Sequence, residues 1–315
     1  MSIHIGISGW RYAGWRGVFY PKGLAQAREL AYASRAVDTI EINGSHYSLQ
    51  TIGSYRSWYE ATPEHFVFSV KGPRYLTHML RFRDDSARPA MANFFASGVL
   101  ALEEKLGPFL WQFPPNFPFD ATRLERFLAL LPRTIEDAIA LARGHDARVK
   151  APWFGTKRRG ALRHAVEVRH PSFCVEVFPE ILRRHEASLV VSDSVAGWPY
   201  FEDMTARFVY IRLHGTQTLY SGAYAEPALD WWAERIRTWA RGDEPSDAKR
   251  VAAKPAEKMA RDVFCYFDND RKVEAPFDAA RLKERLSGDA APPRESVRSR
   301  RDGASRPAAA APKSP

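Results

Sequence analysis

Three short runs place an ionisable or polar side chain at every second residue: Ile40-Glu41-Ile42-Asn43, Val166-Glu167-Val168-Arg169 and Ile211-Arg212-Leu213-His214. Successive side chains of a strand face opposite ways, so the aliphatic residues share one face and Glu41, Glu167, Arg169, Arg212 and His214 the other. Carboxylates suit general-base work, an imidazole carries protons near neutral pH, and guanidinium forks match carboxylate or phosphate oxygens. The set fits acid-base chemistry on a small, polar, anion-bearing substrate of sugar phosphate or nucleotide type. In that reading Glu41 or Glu167 is the base and His214 the proton carrier. Lys71, Arg169 and Arg212 stabilise developing charge, while Gln112, Asn43 and Asn269 orient hydroxyls or carbonyls. A Schiff base at Lys71 is an alternative that nothing in the local sequence requires.

These residues need a frame that gathers them. Extended apolar runs alternate with segments of helical spacing, such as Leu124, Phe127, Leu128 and Leu131, or Leu229, Trp232, Ile236 and Trp239. That alternation is the signature of a parallel sheet. The runs are Ile3 to Ser8, Thr39 to Asn43, Phe66 to Lys71, Phe109 to Phe113, Ala165 to Arg169, Leu189 to Asp193, Phe208 to His214 and Val263 to Asp268. Eight repeats over about 285 residues fit a single closed (β/α)8 TIM-type barrel better than an open sheet. Gly6-Ile7-Ser8-Gly9 lacks the GxGxxG fingerprint, which disfavours a dinucleotide fold. In a barrel, the alternation places Ser8, Glu41, Asn43, Lys71, Gln112, Glu167, Arg169, Asp193, Arg212, His214 and Asp268 inward at the C-terminal rim, where active sites of this fold lie.

Two other uses of the same charges stand beside catalysis. One is an internal lattice of ion pairs, with Asp193 on the sixth run lying between Arg169 on the fifth and Arg212 on the seventh. The other is a metal, because Glu41, Glu167, Asp193 and His214 are ligand types that divalent ions use. No HExxH motif, paired Cys spacing or calcium loop is present, and Lys71, Arg169 and Arg212 compete for the carboxylates. No metal or other cofactor is therefore assigned, and a divalent ion stays open as an alternative. The loop after the first run is aromatic: Trp10, Tyr12, Trp15, Phe19 and Tyr20. Trp15, Phe19 and Tyr20 read as a packed plug, and Trp10 and Tyr12 as substrate contacts. Tyr47, Tyr75, Trp198, Tyr200, Tyr220 and Tyr224 fall in other loops at the same end, where rings can stack on a sugar or base.

Several motifs in order carry a family resemblance. They are Gly6-Ile7-Ser8-Gly9-Trp10, Trp15-Arg16-Gly17-Val18-Phe19-Tyr20-Pro21, Glu41-Ile42-Asn43, Val70-Lys71-Gly72-Pro73 with Thr77-His78, Leu106-Gly107-Pro108 with Trp111-Gln112-Phe113-Pro114-Pro115, Val168-Arg169-His170, and Arg212-Leu213-His214-Gly215. Together they resemble the YecE-like family, domain of unknown function seventy-two, over residues 1 to 287. The resemblance implies a TIM-type barrel and no particular reaction. One departure is Phe267-Asp268-Asn269-Asp270, where the family pattern has two successive Asn before the Asp.

Bulk composition narrows the class further. The chain has 315 residues, 45% hydrophobic and 26% charged, with a formal net charge of +9. Residues 288–315 are of different character, rich in Pro, Ala, Ser and Arg, with six basic and three acidic residues. That segment reads as a disordered basic tail of net +3, which leaves +6 for a barrel domain over residues 1–287. The positive balance, tail and aromatic loops keep nucleic-acid binding or processing as an alternative function, and a non-catalytic ligand-binding barrel is a third. Cys174 and Cys265 are the only cysteines, and Cys265 falls on an apolar phase as a buried hydrophobe would. No signal-like or membrane-length apolar stretch occurs, so the expected location is cytoplasmic, without membrane association.

Overall fold

The computed structural model describes residues 1–82, 86–271 and 273–287. Eight strands follow the expected alternation: β1 (Ile3–Ser8), β2 (Thr39–Ile42), β3 (Val67–Lys71), β4 (Leu106–Gln112), β5 (His164–Glu167), β6 (Ser188–Asp193), β7 (Phe208–Leu213) and β8 (Asp262–Phe267). All neighbours are parallel, and β8 returns to β1 to close the barrel in chain order. The helices are α1 (Glu29–Ala36), α2 (Gly44–Tyr47), α3 (Ile52–Ala61), α4 (Ala87–Ala96), α5 (Ala121–Leu130), α6 (Ile135–Ala142), α7 (Val177–Arg184), α8 (Glu226–Arg241) and α9 (Glu274–Ser287). The protein is thus a (β/α)8 barrel. The tail expected at 288–315 lies outside the described residues. Among the described residues no helix is long and apolar enough to cross a membrane.

The helices bury the spacing seen in the sequence. In α5, Asp120 accepts the Arg123 backbone N–H at the N-terminus, and Leu124, Phe127 and Leu128 turn inward. Along α8 a stripe of Leu229, Trp232, Ala233, Ile236, Trp239 and Ala240 is buried. That helix ends at Gly242, whose φ of +95° is the left-handed conformation glycine adopts without a Cβ penalty.

Strand alternation sorts the core in two. Ile5, Ile7, Ile40, Ile42, Val166, Val191, Val209, Ile211 and Cys265 belong to the larger cluster, between barrel and helices. Leu110, Ala165, Val190, Phe208, Tyr210, Phe264 and Tyr266 form a second cluster inside the barrel. The inner cluster is the floor on which the polar residues of the C-terminal rim stand.

Every strand except β1 differs from its expected run by one to three residues at an end, and two of these differences have a clear physical cause. β4 begins at Leu106, because the turn-like pair Gly107-Pro108 is built into the strand. Phe68 pairs with Leu106 and Val70 with Phe109, so three residues of β4 face two of β3 there. This irregularity accommodates a proline that cannot donate to a ladder. β2 stops at Ile42, and Asn43 turns into helical conformation at the start of α2.

The β1–β2 contact leaves no room for a side chain at Gly6, where an added Cβ would lie 1.9 Å from the Thr39 carbonyl oxygen. Gly6→Ala is expected to destabilise the barrel by about 3 kcal/mol or more, read as a lower urea midpoint; an unchanged midpoint would contradict this tight strand contact.

Candidate functional site

Arg212 on β7 is the centre of the rim. Its Nε and Nη2 donate to the two oxygens of Glu41 on β2 at 3.1 and 2.8 Å, and Nη1 donates to Glu167 of β5 at 2.9 Å. Nη2 also donates to Asp268, just past β8, at 2.9 Å and to the Ser8 hydroxyl of β1 at 3.1 Å. All of these groups are buried. The guanidinium is held in its charged form because the attraction of Asp268, Glu41 and Glu167 outweighs the cost of burial.

Each carboxylate has further donors. Glu41 accepts from the Ser8 hydroxyl and the Tyr210 phenol, both at 2.7 Å, so each of its oxygens receives two hydrogen bonds. Glu167 also accepts from Nε and Nη2 of Arg169 at 3.0 and 2.9 Å. Burial pushes the Glu167 carboxyl up, yet Arg169 and Arg212 overcome it and hold the group well below the ordinary range. Asp268 follows the same balance, with Arg212 and His214 prevailing over burial. The His214 ring lies between them, Nδ1 2.9 Å from Asp268 and Nε2 3.4 Å from Glu167. Trp198 stacks over the Arg169 guanidinium at 3.6 Å.

An open cavity of about 470 Å³ sits at one side of this lattice. Gly9, Trp10, Arg11 and Tyr12 line it after β1, Asn43, Gly44, Tyr47 and Gln50 after β2, and Trp58 from α3. Lys71, Arg212, Tyr220, Asp268 and Asp270 complete the wall. The Lys71 ammonium is buried, and among the described residues it has no hydrogen-bond or ion-pair partner. Burial, with Arg212 adding repulsion, brings its pKa down to about 8. Asp270 moves the other way, to about 6, through burial and the negative charge of Asp268. Arg11 likewise has no carboxylate partner among the described residues.

Of the expected site residues, the rim brings together Ser8, Glu41, Glu167, Arg169, Arg212, His214 and Asp268, with the Asn43 amide donating to the Ser8 hydroxyl at 2.9 Å. Trp10, Tyr12 and Lys71 line the cavity as well. Trp15 and Tyr20 are buried in the loop plug. Gln112 shares the inward phase and pairs in register with Glu167, but does not line the cavity.

Two expectations are corrected. Asp193 was expected inward between Arg169 and Arg212, but Ser192 pairs with Arg212 and Asp193 with Leu213, which puts Asp193 on the outward phase. Its carboxylate accepts from the Tyr224 phenol at 2.9 Å, and burial raises its pKa. Asn269 is also one residue out of phase. Its amide nitrogen donates to the Gly222 carbonyl at 3.0 Å and to Asp278 of α9 at 2.8 Å, away from the cavity. Sequence reasoning missed Asp270, Arg11 and Tyr210. Tyr210 was within reach, because it stands two residues before Arg212 on the same phase.

Glu41, Glu167, Asp193 and His214, the ligand types for a divalent ion, do not converge, since Asp193 faces outward. Among the described residues no three His, Cys, Asp or Glu side chains are placed to hold a metal ion.

Removing the shared guanidinium would leave three buried carboxylates facing one another. Arg212→Met is expected to cost on the order of 3–5 kcal/mol near neutral pH. In the wild type the depressed Glu167 and Asp268 contribute stability that is fully present above the ordinary carboxylate pKa and is lost as pH falls from there through their lower folded values. Without Arg212 these groups favour protonation, so the deficit against wild type should shrink from about pH 7.5 to about pH 4.5. Urea midpoints at the two pH values check this; a pH-independent deficit would contradict it.

Comparison with known proteins agrees with the architecture. The UPF0759 protein YunF of Bacillus subtilis (strain 168) is 32% identical over 118 residues, 36% of this chain and 41% of that protein's length. The solved structure of a DUF72 family protein from Thermotoga maritima matches with a TM-score of 0.68 at 24% identity, covering 91% of this chain and 100% of that one. A DUF72 family protein from Enterococcus faecalis matches with a TM-score of 0.64 at 16% identity, covering 92% and 97%. At these identities the structures share the fold. A family model described as "Protein of unknown function DUF72" matches residues 4–301, and the chain belongs to that family.

Proposed function

We propose that the protein is an enzyme acting on a small polar substrate that carries an anionic group, by acid-base chemistry in the cavity at the barrel rim. The observation that carries this reading is the buried ammonium of Lys71, which faces the cavity with no carboxylate partner among the described residues. A buried ammonium that no carboxylate directly pairs is costly to the fold even with the more distant Glu41 and Glu167 favouring its charge, and an anion in the cavity lowers that cost. Arg11 adds a second unpaired cation at the same wall.

The base in this reading is Asp270 in place of Glu41 or Glu167. Those two glutamates are engaged by guanidinium, hydroxyl and phenol donors, whereas Asp270 lines the cavity and ionises near pH 6. Lys71 serves as acid and charge stabiliser while protonated, below about pH 8. Arg212, Arg169 and the glutamates hold the field and geometry in which these two groups work.

Binding of orthophosphate and sugar phosphates, followed by calorimetry, should weaken above about pH 8 as Lys71 loses its proton. Turnover of a bound substrate should follow a bell between limbs near pH 6 and pH 8, with Asp270→Asn abolishing turnover but retaining binding. Lys71→Met should weaken anion binding about tenfold or more while stabilising the fold by roughly 1–3 kcal/mol at neutral pH. The sign follows from the depressed pKa: the folded state of the wild type binds fewer protons between about 8 and 10.5, so its stability rises with pH in that window. A Lys71→Met protein that is less stable and binds anions normally would sink the proposal. Binding without conversion would make the barrel a ligand binder.

A further inference from the structure

We propose that the ligand of this site is a mononucleotide, its phosphate in the charged cavity and its planar heterocycle in a second cavity alongside. This rests on the first cavity being an anion site. The second cavity, of about 410 Å³, lies across Tyr47, whose exposed ring lines both. Leu49, Pro73, Leu76 and the exposed ring of Tyr75 supply its apolar surface. Aromatic and aliphatic walls suit the face of a flat ring, and stacking on tyrosine tolerates any base.

The edge of such a ring has a partner too. Asn93, 3% exposed, lines this cavity, and its side-chain oxygen accepts the Asp146 backbone N–H at 2.9 Å. That bond fixes which end of the amide is which. The amide nitrogen is left without a partner among the described residues, a donor suited to a ring nitrogen or carbonyl. A sugar phosphate alone would fill the first cavity and leave both the Tyr75 ring and the Asn93 donor unused.

Calorimetry on the full chain with adenosine 5′-monophosphate, uridine 5′-monophosphate and ribose 5-phosphate tests the assignment. The nucleotides should bind about tenfold more tightly than ribose 5-phosphate. Tyr75→Ala and Asn93→Asp alter the second cavity only, and the latter keeps an acceptor for the Asp146 N–H. Each should bring nucleotide affinity towards that of ribose 5-phosphate, whose own affinity stays unchanged. Equal binding of all three by the wild type, or variants that keep the full nucleotide preference, would overturn the second subsite and leave the anion site standing. Failure of all three to bind would overturn both.

Discussion

A guanidinium has five N–H groups in one plane, and in this barrel a single one serves three carboxylates and a hydroxyl from four different strands or strand ends. Arg212 of β7 thereby ties together β1, β2, β5 and the end of β8. Buried charges of this density are tolerable only when each is paired and hydrogen-bonded. The floor of Leu110, Tyr210, Phe264 and Tyr266 beneath them keeps the local environment dry, which strengthens both the attractions and the penalty for any missing partner.

That saturation decides where chemistry can occur. Glu41, with two donors on each oxygen, and Glu167, with three donors in all, are scaffolding for a site, and in the reading proposed above reactivity falls to groups outside those pairings. Lys71 and Asp270, the latter hydrogen-bonded by the Tyr12 phenol, line the cavity beyond those pairings, one pushed down and the other up towards neutrality by burial and by charges already fixed in place. The same lattice sets their environment, because Arg212 repels Lys71 and Asp268 repels Asp270. The residues that stabilise the rim therefore also set the ionisation of the cavity wall.

Much of this was legible in the sequence. Alternation identified the eight strands and the inward phase of Ser8, Glu41, Lys71, Glu167, Arg169, Arg212, His214 and Asp268, because a period of two survives any uncertainty about tertiary contacts. It failed for Asp193, and the substrate-orienting role given to Asn269 failed as well. Asp193 was read as rim-facing, when the register of β6 on β7 points it at the helices; Asn269 lies past β8 with its amide bonded to Asp278 of α9. The pairing of charges was not legible at all. Which carboxylate meets which cation depends on barrel closure, which brings residues such as Glu41 and Arg212, 171 positions apart, within hydrogen-bond distance. Asp270 escaped for a different reason: its altered acidity comes from the neighbouring Asp268 and from burial, neither of which leaves a mark on local pattern.

The apolar floor has one more consequence, for traffic. Among the described residues, side chains fill the barrel beneath the rim and leave it a packed core with no open bore. For a ligand of the proposed site, the way in over Trp10, Tyr12 and Tyr47 would also be the way out, so arrival and departure would compete for one opening. On that reading the loops after β1 and β2, which frame the opening, would govern exchange as well as recognition.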